Sequence, residues 1–316
     1  GHGIGELYDR VKAAMGSEAD LFEEEEGDQA FDPDTPFEVD PDVPLRVAIL
    51  GRPNAGKSTL INHMLGEERM MTGPEAGITR DAIGIDWQWQ ESDQKRPIKL
   101  WDTAGIRRKS RVSEKLEKLS VADALRAVKF AEIVVLLIDA DTPFDKQDVQ
   151  LADLVEREGR AMVVAINKWD LKLDRNKVQE IIRDKLEFAL PRLRGIPVIT
   201  MSAKTGKGVE RLMPAVIRQH EIWNGRVPTA RLNKWMADAI ARHAPPADKG
   251  RPVRLRYVTQ AKARPPTFAA FSSRGHAVPE NYIRYLINSL RETFDFHGVP
   301  IRFFIRKGKN PYDDKS

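Results

Sequence analysis

Five short apolar runs punctuate the middle of the chain, at residues 45–50, 98–101, 133–138, 162–166 and 196–201. Polar, helix-like stretches separate them. Apolar runs of strand length that alternate with helices are the pattern of a mostly parallel sheet covered on both faces. Residues 45–225 therefore read as an α/β domain. The pattern changes at 226–316, which reads helix (229–243), strand (253–261), strand (267–273), helix (279–294), strand (301–306). Ala-Pro-Pro and Arg-Pro-Pro mark turns there. That order predicts a small α+β domain. Upstream, residues 17–44 are acidic and interrupted by four prolines. They read as a disordered linker, because they cannot bury enough apolar area to offset ordering entropy.

The first 16 residues carry a different signal. Gly1-His2-Gly3-Ile4-Gly5-Glu6-Leu7 aligns with Gly206-Lys207-Gly208-Val209-Glu210-Arg211-Leu212, and Val11 then falls on Val216. In the second copy this segment follows the last strand of the α/β domain and opens its last helix. Residues 1–16 are thus expected to be the closing helix of an earlier, similar domain. Chance likeness of a Gly-x-Gly turn is the alternative.

Composition narrows the class. The 316 residues are 41% hydrophobic and 31% charged, ordinary for a water-soluble chain of two domains. No apolar run approaches the roughly 18 residues of a membrane span. The opening GHGIGELYDR lacks a basic-then-apolar signal pattern. With no cysteine, disulfide frameworks and thiolate metal sites are excluded. The net charge of +4 hides an asymmetry. Residues 1–44 hold 14 acids against two basic residues, and 226–316 hold 18 basic residues against seven acids. A polyanion partner for the last third is one reading. A solvated basic surface, or an internal partner for the acids, is the other.

Four motifs carry chemistry. Gly51-Arg52-Pro53-Asn54-Ala55-Gly56-Lys57-Ser58 fits G-x-x-x-x-G-K-[ST], between an expected strand and a helix beginning at Thr59. Such a loop cradles phosphates with backbone N–H groups and a helix N-terminus. Lys57 is placed to neutralise the β- and γ-phosphates, and Ser58 to ligate Mg²⁺. Asp102-Thr103-Ala104-Gly105 follows the second run. Asp102 at a strand end can hold Mg²⁺ through water, and Gly105 lets its N–H approach a γ-phosphate. Asn167-Lys168-Trp169-Asp170 closes the fourth run. The Asp170 carboxylate can accept guanine N1–H and the 2-amino group, a pair that adenine lacks. Asn167 braces the loop and the Lys168 stem covers the base. Ser202-Ala203-Lys204 follows the fifth run, with the Ala203 N–H as a reader of guanine O6. Between the first two motifs lies a Gly/Pro-containing loop, 72–81. It reads as a mobile switch with Thr79 as a second Mg²⁺ hydroxyl, or as an ordinary connection.

At this point the residues resemble a known family. The four ordered motifs, Pro53 and Asn54 in the loop, and WDTAG as the second motif are similar to bacterial GTPases related to translation factors. Gly77-Ile78-Thr79-Arg80-Asp81, Ile106-Arg107-Arg108-Lys109 and Gly298-Val299-Pro300-Ile301-Arg302 narrow the resemblance to the Der (EngA) family of two-G-domain GTPases of ribosome assembly. It covers about residues 45–310, with 1–16 as remnant of a first G domain. The resemblance implies a P-loop GTPase domain over 45–225 and a KH-like domain over 226–316. It implies GTP and GDP as ligands, the large ribosomal subunit and its rRNA as partners, no membrane, a cytoplasmic setting and a monomer. One departure stands out: no G-x-x-G loop joins two helices, and Ser273-Arg274-Gly275-His276 instead follows a strand.

The family chemistry also assigns roles. Some GTPases orient water with a Gln after D-x-x-G, where this chain has Ile106, so turnover is expected to be slow. Asn54 matches an Asn linked to K⁺ beside the phosphates in related GTPases, and such a cation offsets transition-state charge. Loop stabilisation is the alternative role for Asn54. The basic segment 107–111 either touches rRNA or is a solvated turn. Three readings of function stay open: a GTPase that times ribosome binding, a non-catalytic GTP-gated module, and a basic domain that only docks on a lost G domain.

Overall fold

A computed structural model describes residues 32–38, 40, 42–67, 84–91, 94–102, 121–172 and 174–306. Pro33–Ser316 form one compact unit. Its larger part contains β1 (Leu45–Leu50), α1 (Lys57–Glu67), β2 (Gly84–Glu91), β3 (Gln94–Asp102), α2 (Val121–Phe130) and β4 (Ile133–Asp139). It continues with α3 (Lys146–Arg157), β5 (Ala161–Asn167), α4 (Arg175–Ala189), β6 (Val198–Thr200) and α5 (Leu212–Trp223). The six strands run in the order β2-β3-β1-β4-β5-β6. Every pairing is parallel except β2 with β3. β4 and β5 are buried over nearly their whole length, as strands covered on both faces must be.

The α/β expectation for 45–225 thus describes the sheet, with one addition. β2 was not among the five apolar runs. Ile85, Trp87 and Trp89 pack on the core, while Asp86, Gln88 and Gln90 alternate with them. An antiparallel edge strand shows that period of two rather than a continuous apolar run. Pairing with β2 also extends β3 back to Gln94, through polar residues that carry no strand signal.

The second part holds α6 (Thr229–Arg242), β7 (Leu255–Lys262), β8 (Thr267–Ser272), α7 (Glu280–Thr293) and β9 (Arg302–Arg306). Its sheet order is β7-β8-β9, antiparallel then parallel. The helices face the sheet with Leu232, Trp235, Met236 and Ala239, and with Tyr282, Leu286 and Leu290. Those spacings are one helical face. The order of elements is the one expected for 226–316. A 3₁₀ turn at Gly275–Ala277 occupies the stretch nearest to G-x-x-G.

Polar groups join the two parts. Arg291 on α7 donates to the carbonyls of Phe296 (2.5 Å), Val299 (2.8 Å) and Arg192 (2.7 Å). Arg302 donates to the carbonyls of Glu156 and Arg157, at the end of α3. Gln219 on α5 donates to the His297 carbonyl. Part of the segment expected as a disordered linker sits here as well. Asp34 accepts the Thr229 N–H at the start of α6, Thr35 accepts from Arg226, and the Phe37 ring lies 5.8 Å from that of His220. Residues 1–31, where the repeat and most of the acidic run fall, lie outside the described residues.

Candidate nucleotide site

The strand order reverses at β1, which lies between β3 and β4. In an open α/β sheet, the crevice at the carboxyl ends beside such a switch is where ligands bind. Residues 51–56 occupy that place, between β1 and α1. Gly51 passes so close to β4 that a Cβ would meet the Leu137 carbonyl oxygen at 2.3 Å. Gly56 has φ +99°, and a Cβ there would lie 2.2 Å from Asn167 Nδ2. Both positions therefore require glycine. Asn54 sits exposed at φ 61°, a conformation that Asn tolerates better than most residues.

Lys57 begins α1 and is 7% exposed. Its Nζ donates to the carbonyls of Gly51 (2.9 Å) and Arg52 (2.8 Å), so the ammonium is folded back over the loop. Ser58 and Thr59 follow it, exposed, in the first turn. Asp102 is the last residue of β3, and its backbone is in register with Ile49. It therefore stands at the same end of the sheet as the loop. A hydroxyl and a carboxylate are the hard oxygen donors that Mg²⁺ takes, and Ser58 and Asp102 are the residues of those types at this end of the sheet.

Asn167 connects three segments. Its Nδ2 donates to the Ala55 carbonyl (2.8 Å), and its Oδ1 accepts the Ala203 N–H (2.8 Å). With 2% exposure, it ties the phosphate loop to the two segments proposed to read the base. Lys168 follows at φ 62° and donates to Asp139 at 2.6 Å. Burial alone would raise the Asp139 carboxyl, but the bonds from Lys168 and the Asp141 N–H hold it below the usual range. Asp170 is exposed in a 3₁₀ turn, Trp169–Leu171. Ser202 is buried and its Oγ accepts the Thr205 N–H, while Lys204 is exposed.

The structure thus brings together 51–59, Asp102, 167–170 and 202–204. Thr79, Thr103, Ala104, Gly105 and Ile106 lie outside the described residues. The sequence reading did not name Asp139, Thr142, Asp145 or Asp148. The first pairs with Lys168 and the other three receive the Arg52 side chain. The signal was available: four aspartates fall within residues 139–148, directly after a buried strand.

Comparison with known proteins follows the same division. Residues 46–168 match the family model of 50S ribosome-binding GTPases, and residues 121–221 match that of the elongation factor Tu GTP-binding domain. Residues 226–306 match the KH-domain-like model of the carboxyl-terminal part of EngA bacterial GTPases. GTPase Der of Parvibaculum lavamentivorans is 58% identical over 325 residues, covering 100% of this chain and 68% of that protein. The chain belongs to the Der (EngA) GTPase family. GTPase Der of Brucella anthropi is 52% identical, over 99% of this chain and 68% of its own length. GTPase Der of Mesorhizobium japonicum is 51% identical, over 99% and 67%. The chain is accordingly an α/β P-loop GTPase domain followed by an EngA-type KH-like domain. Among the described residues, no helix is long and apolar enough to cross a membrane.

Proposed function

We propose that this chain binds and hydrolyses GTP with Mg²⁺, and that its nucleotide state governs binding to the large ribosomal subunit and its rRNA during subunit assembly in the cytoplasm. It acts there as a monomer. The observation that carries the GTPase part is the Asn167 bridge, which holds the phosphate loop and both base-reading segments in one frame. Within that frame Lys57 meets the β- and γ-phosphates, Ser58, Thr79 and Asp102 supply oxygens for the metal, and Gly105 gives its N–H to the γ-phosphate. Asp170 selects guanine, with Lys168 held over the base by Asp139. Ile106 offers attacking water no hydrogen bond, so turnover is slow. The exposed Asn54 amide, at the tip of the loop, is the ligand for an activating K⁺.

Hydrolysis of GTP by this chain in KCl and in NaCl, with ATP as control, tests the reading. GTP turnover without ATP turnover, several-fold faster in K⁺, is the expected outcome. Equal rates in the two salts sink the role of Asn54, and equal use of ATP sinks that of Asp170. The ribosome part is read by co-sedimentation with large subunits, in GDP and in a non-hydrolysable GTP analogue. Identical binding in both nucleotides defeats it.

One observation favours a second reading, a GTP-gated module whose basic domain only docks. Arg291 and Arg302 each already donate to carbonyls of the first part, at Arg192 and at Glu156 and Arg157. A steep fall of rRNA affinity with salt, from several released counterions, excludes that reading.

A further inference from the structure

The second residue of the phosphate loop directs its side chain to the segment between β4 and α3. Arg52 Nε donates to Asp148 Oδ1 at 2.9 Å and NH1 to Asp145 Oδ2 at 3.2 Å. Its NH2 donates to Thr142, to the carbonyl at 2.7 Å and to Oγ1 at 2.8 Å. These acceptors are themselves fixed. Asp145 and Asp148 form the capping box of α3: the Asp145 N–H donates to Asp148 Oδ2, and the Lys146 N–H to Asp145 Oδ1. The Asp148 side chain is fully buried. Burial pushes its carboxyl up, and the Arg52 guanidinium opposes that. At its other end Arg52 offers its own carbonyl to Lys57 Nζ at 2.8 Å. A continuous line of bonds therefore runs from the first turn of α3, through Arg52, to the ammonium assigned to the phosphates.

We propose that Arg52 is a positioning residue for the GTPase reaction: locked to Asp148, Asp145 and Thr142, it sets where Lys57 meets the β- and γ-phosphates. The inference rests on the GTPase reading above. It makes the segment from β4 to α3 a working part of the phosphate site. An arginine is required because a planar fork reaches four acceptor atoms on three residues at fixed angles, whereas an ammonium is a point charge. Holding the loop in place before the ligand arrives removes an ordering cost from binding. Guanine selection is assigned to Asp170, which makes no contact with Arg52, so a change at Arg52 should spare it.

The test uses the full chain with Arg52→Lys, Asp148→Asn and the double variant. Competition against a fluorescent GDP analogue gives affinities for GTP, GDP and ATP, and steady-state assays give kcat and KM. Arg52→Lys keeps the charge beside buried Asp148, so it remains folded even if Asp148→Asn does not. The expected result for Arg52→Lys is a GTP affinity lower by about tenfold, with a smaller loss for GDP and an unchanged preference for GTP over ATP. Thermal midpoints should stay close to that of the unmodified chain. In the double variant the losses should be strongly non-additive, because both changes cut the same line of bonds. An unchanged ratio of GTP to GDP affinity overturns the proposal, as does a loss of guanine preference in step with GTP affinity. If the unmodified chain binds no GTP, the GTPase reading falls instead.

Discussion

Two buried cations, Lys57 and Arg291, both donate to backbone carbonyls, and they teach different things. Lys57 lies at the carboxyl ends of the strands, at the start of α1, on a loop whose neighbours Asn54, Ser58 and Thr59 are exposed. The helix N-terminus adds positive potential there, so the place suits an incoming anion. Arg291 lies where the two parts of the chain meet and is 2% exposed. Burial lowers its guanidinium to about 10, with Arg194 adding to that and Glu156 opposing it. Three carbonyls, from 192, 296 and 299, take its fork. The same device thus stands at the strand ends, where a ligand is proposed to bind, and where the two parts of the chain meet.

The largest effect should come from the open end. In the function proposed above, Asp170→Asn replaces the acceptor of two guanine N–H groups with an amide that suits xanthine. Sites built to hydrogen-bond a ligand discriminate by about 10⁴-fold, so the preference between GTP and xanthosine triphosphate should shift by roughly that order. Competitive binding of the two nucleotides measures it. An unchanged preference removes Asp170 from the base site. Stability should hardly move, because Asp170 is exposed.

The closed end should behave in the opposite way. Arg291→Met keeps length and apolar bulk but leaves three carbonyls without their donor. Unsatisfied buried groups cost about 1–3 kcal/mol each, so a loss of roughly 3 kcal/mol in urea unfolding is expected. GTP affinity should change less than twofold. A parallel loss of GTP binding would break the distinction between the two cations.

The sequence made the open end legible and the closed end nearly silent, for physical reasons. The phosphate-loop motif demands glycine at 51 and 56 because Leu137 and Asn167 crowd those positions, and such demands are local in sequence. Asn167 likewise falls in a four-residue motif. Continuous apolar runs revealed β1, β4 and β5, whereas β2 escaped because an edge strand needs only one apolar face. The domain junction depends on partners far apart in the chain: Arg291 with Arg192, Gln219 with His297, Arg302 with Glu156. Nothing about a lone Arg on an amphipathic helix announces a partner about 100 residues away. Asp34, Thr35 and Phe37 escaped similarly, because acidic, proline-containing composition gives no hint of a capping bond or a ring contact.

The smallest effect tests whether the closed end is stable against pH. Glu132, just before β4, accepts the Arg46 N–H at 3.1 Å and stands 3.7 Å from His220 and from Arg264. Arg96 faces the same group, and donor and acceptor roles at His220 depend on its tautomer. Burial would raise the Glu132 carboxyl, but the neighbouring His220 ring, the bond from the Arg46 N–H and the Arg46 charge bring it to about 2. A carboxyl held below its ordinary 4.5 contributes stability that is fully present above that pH. The contribution fades as pH falls from about 4.5 toward about 2. A shift of this size corresponds to an upper bound on the order of 3 kcal/mol. Partial exposure of Arg46 and Arg264 reduces it to roughly 1–2 kcal/mol. Glu132→Gln should therefore be less stable than the unmodified chain at pH 7, and the gap should close as the pH approaches 2. Urea midpoints of both proteins at pH 7, 5 and 3 measure that gap, which cancels the titration of other carboxylates. A gap that stays constant across that range would mean that Glu132 holds the junction by shape and not by charge.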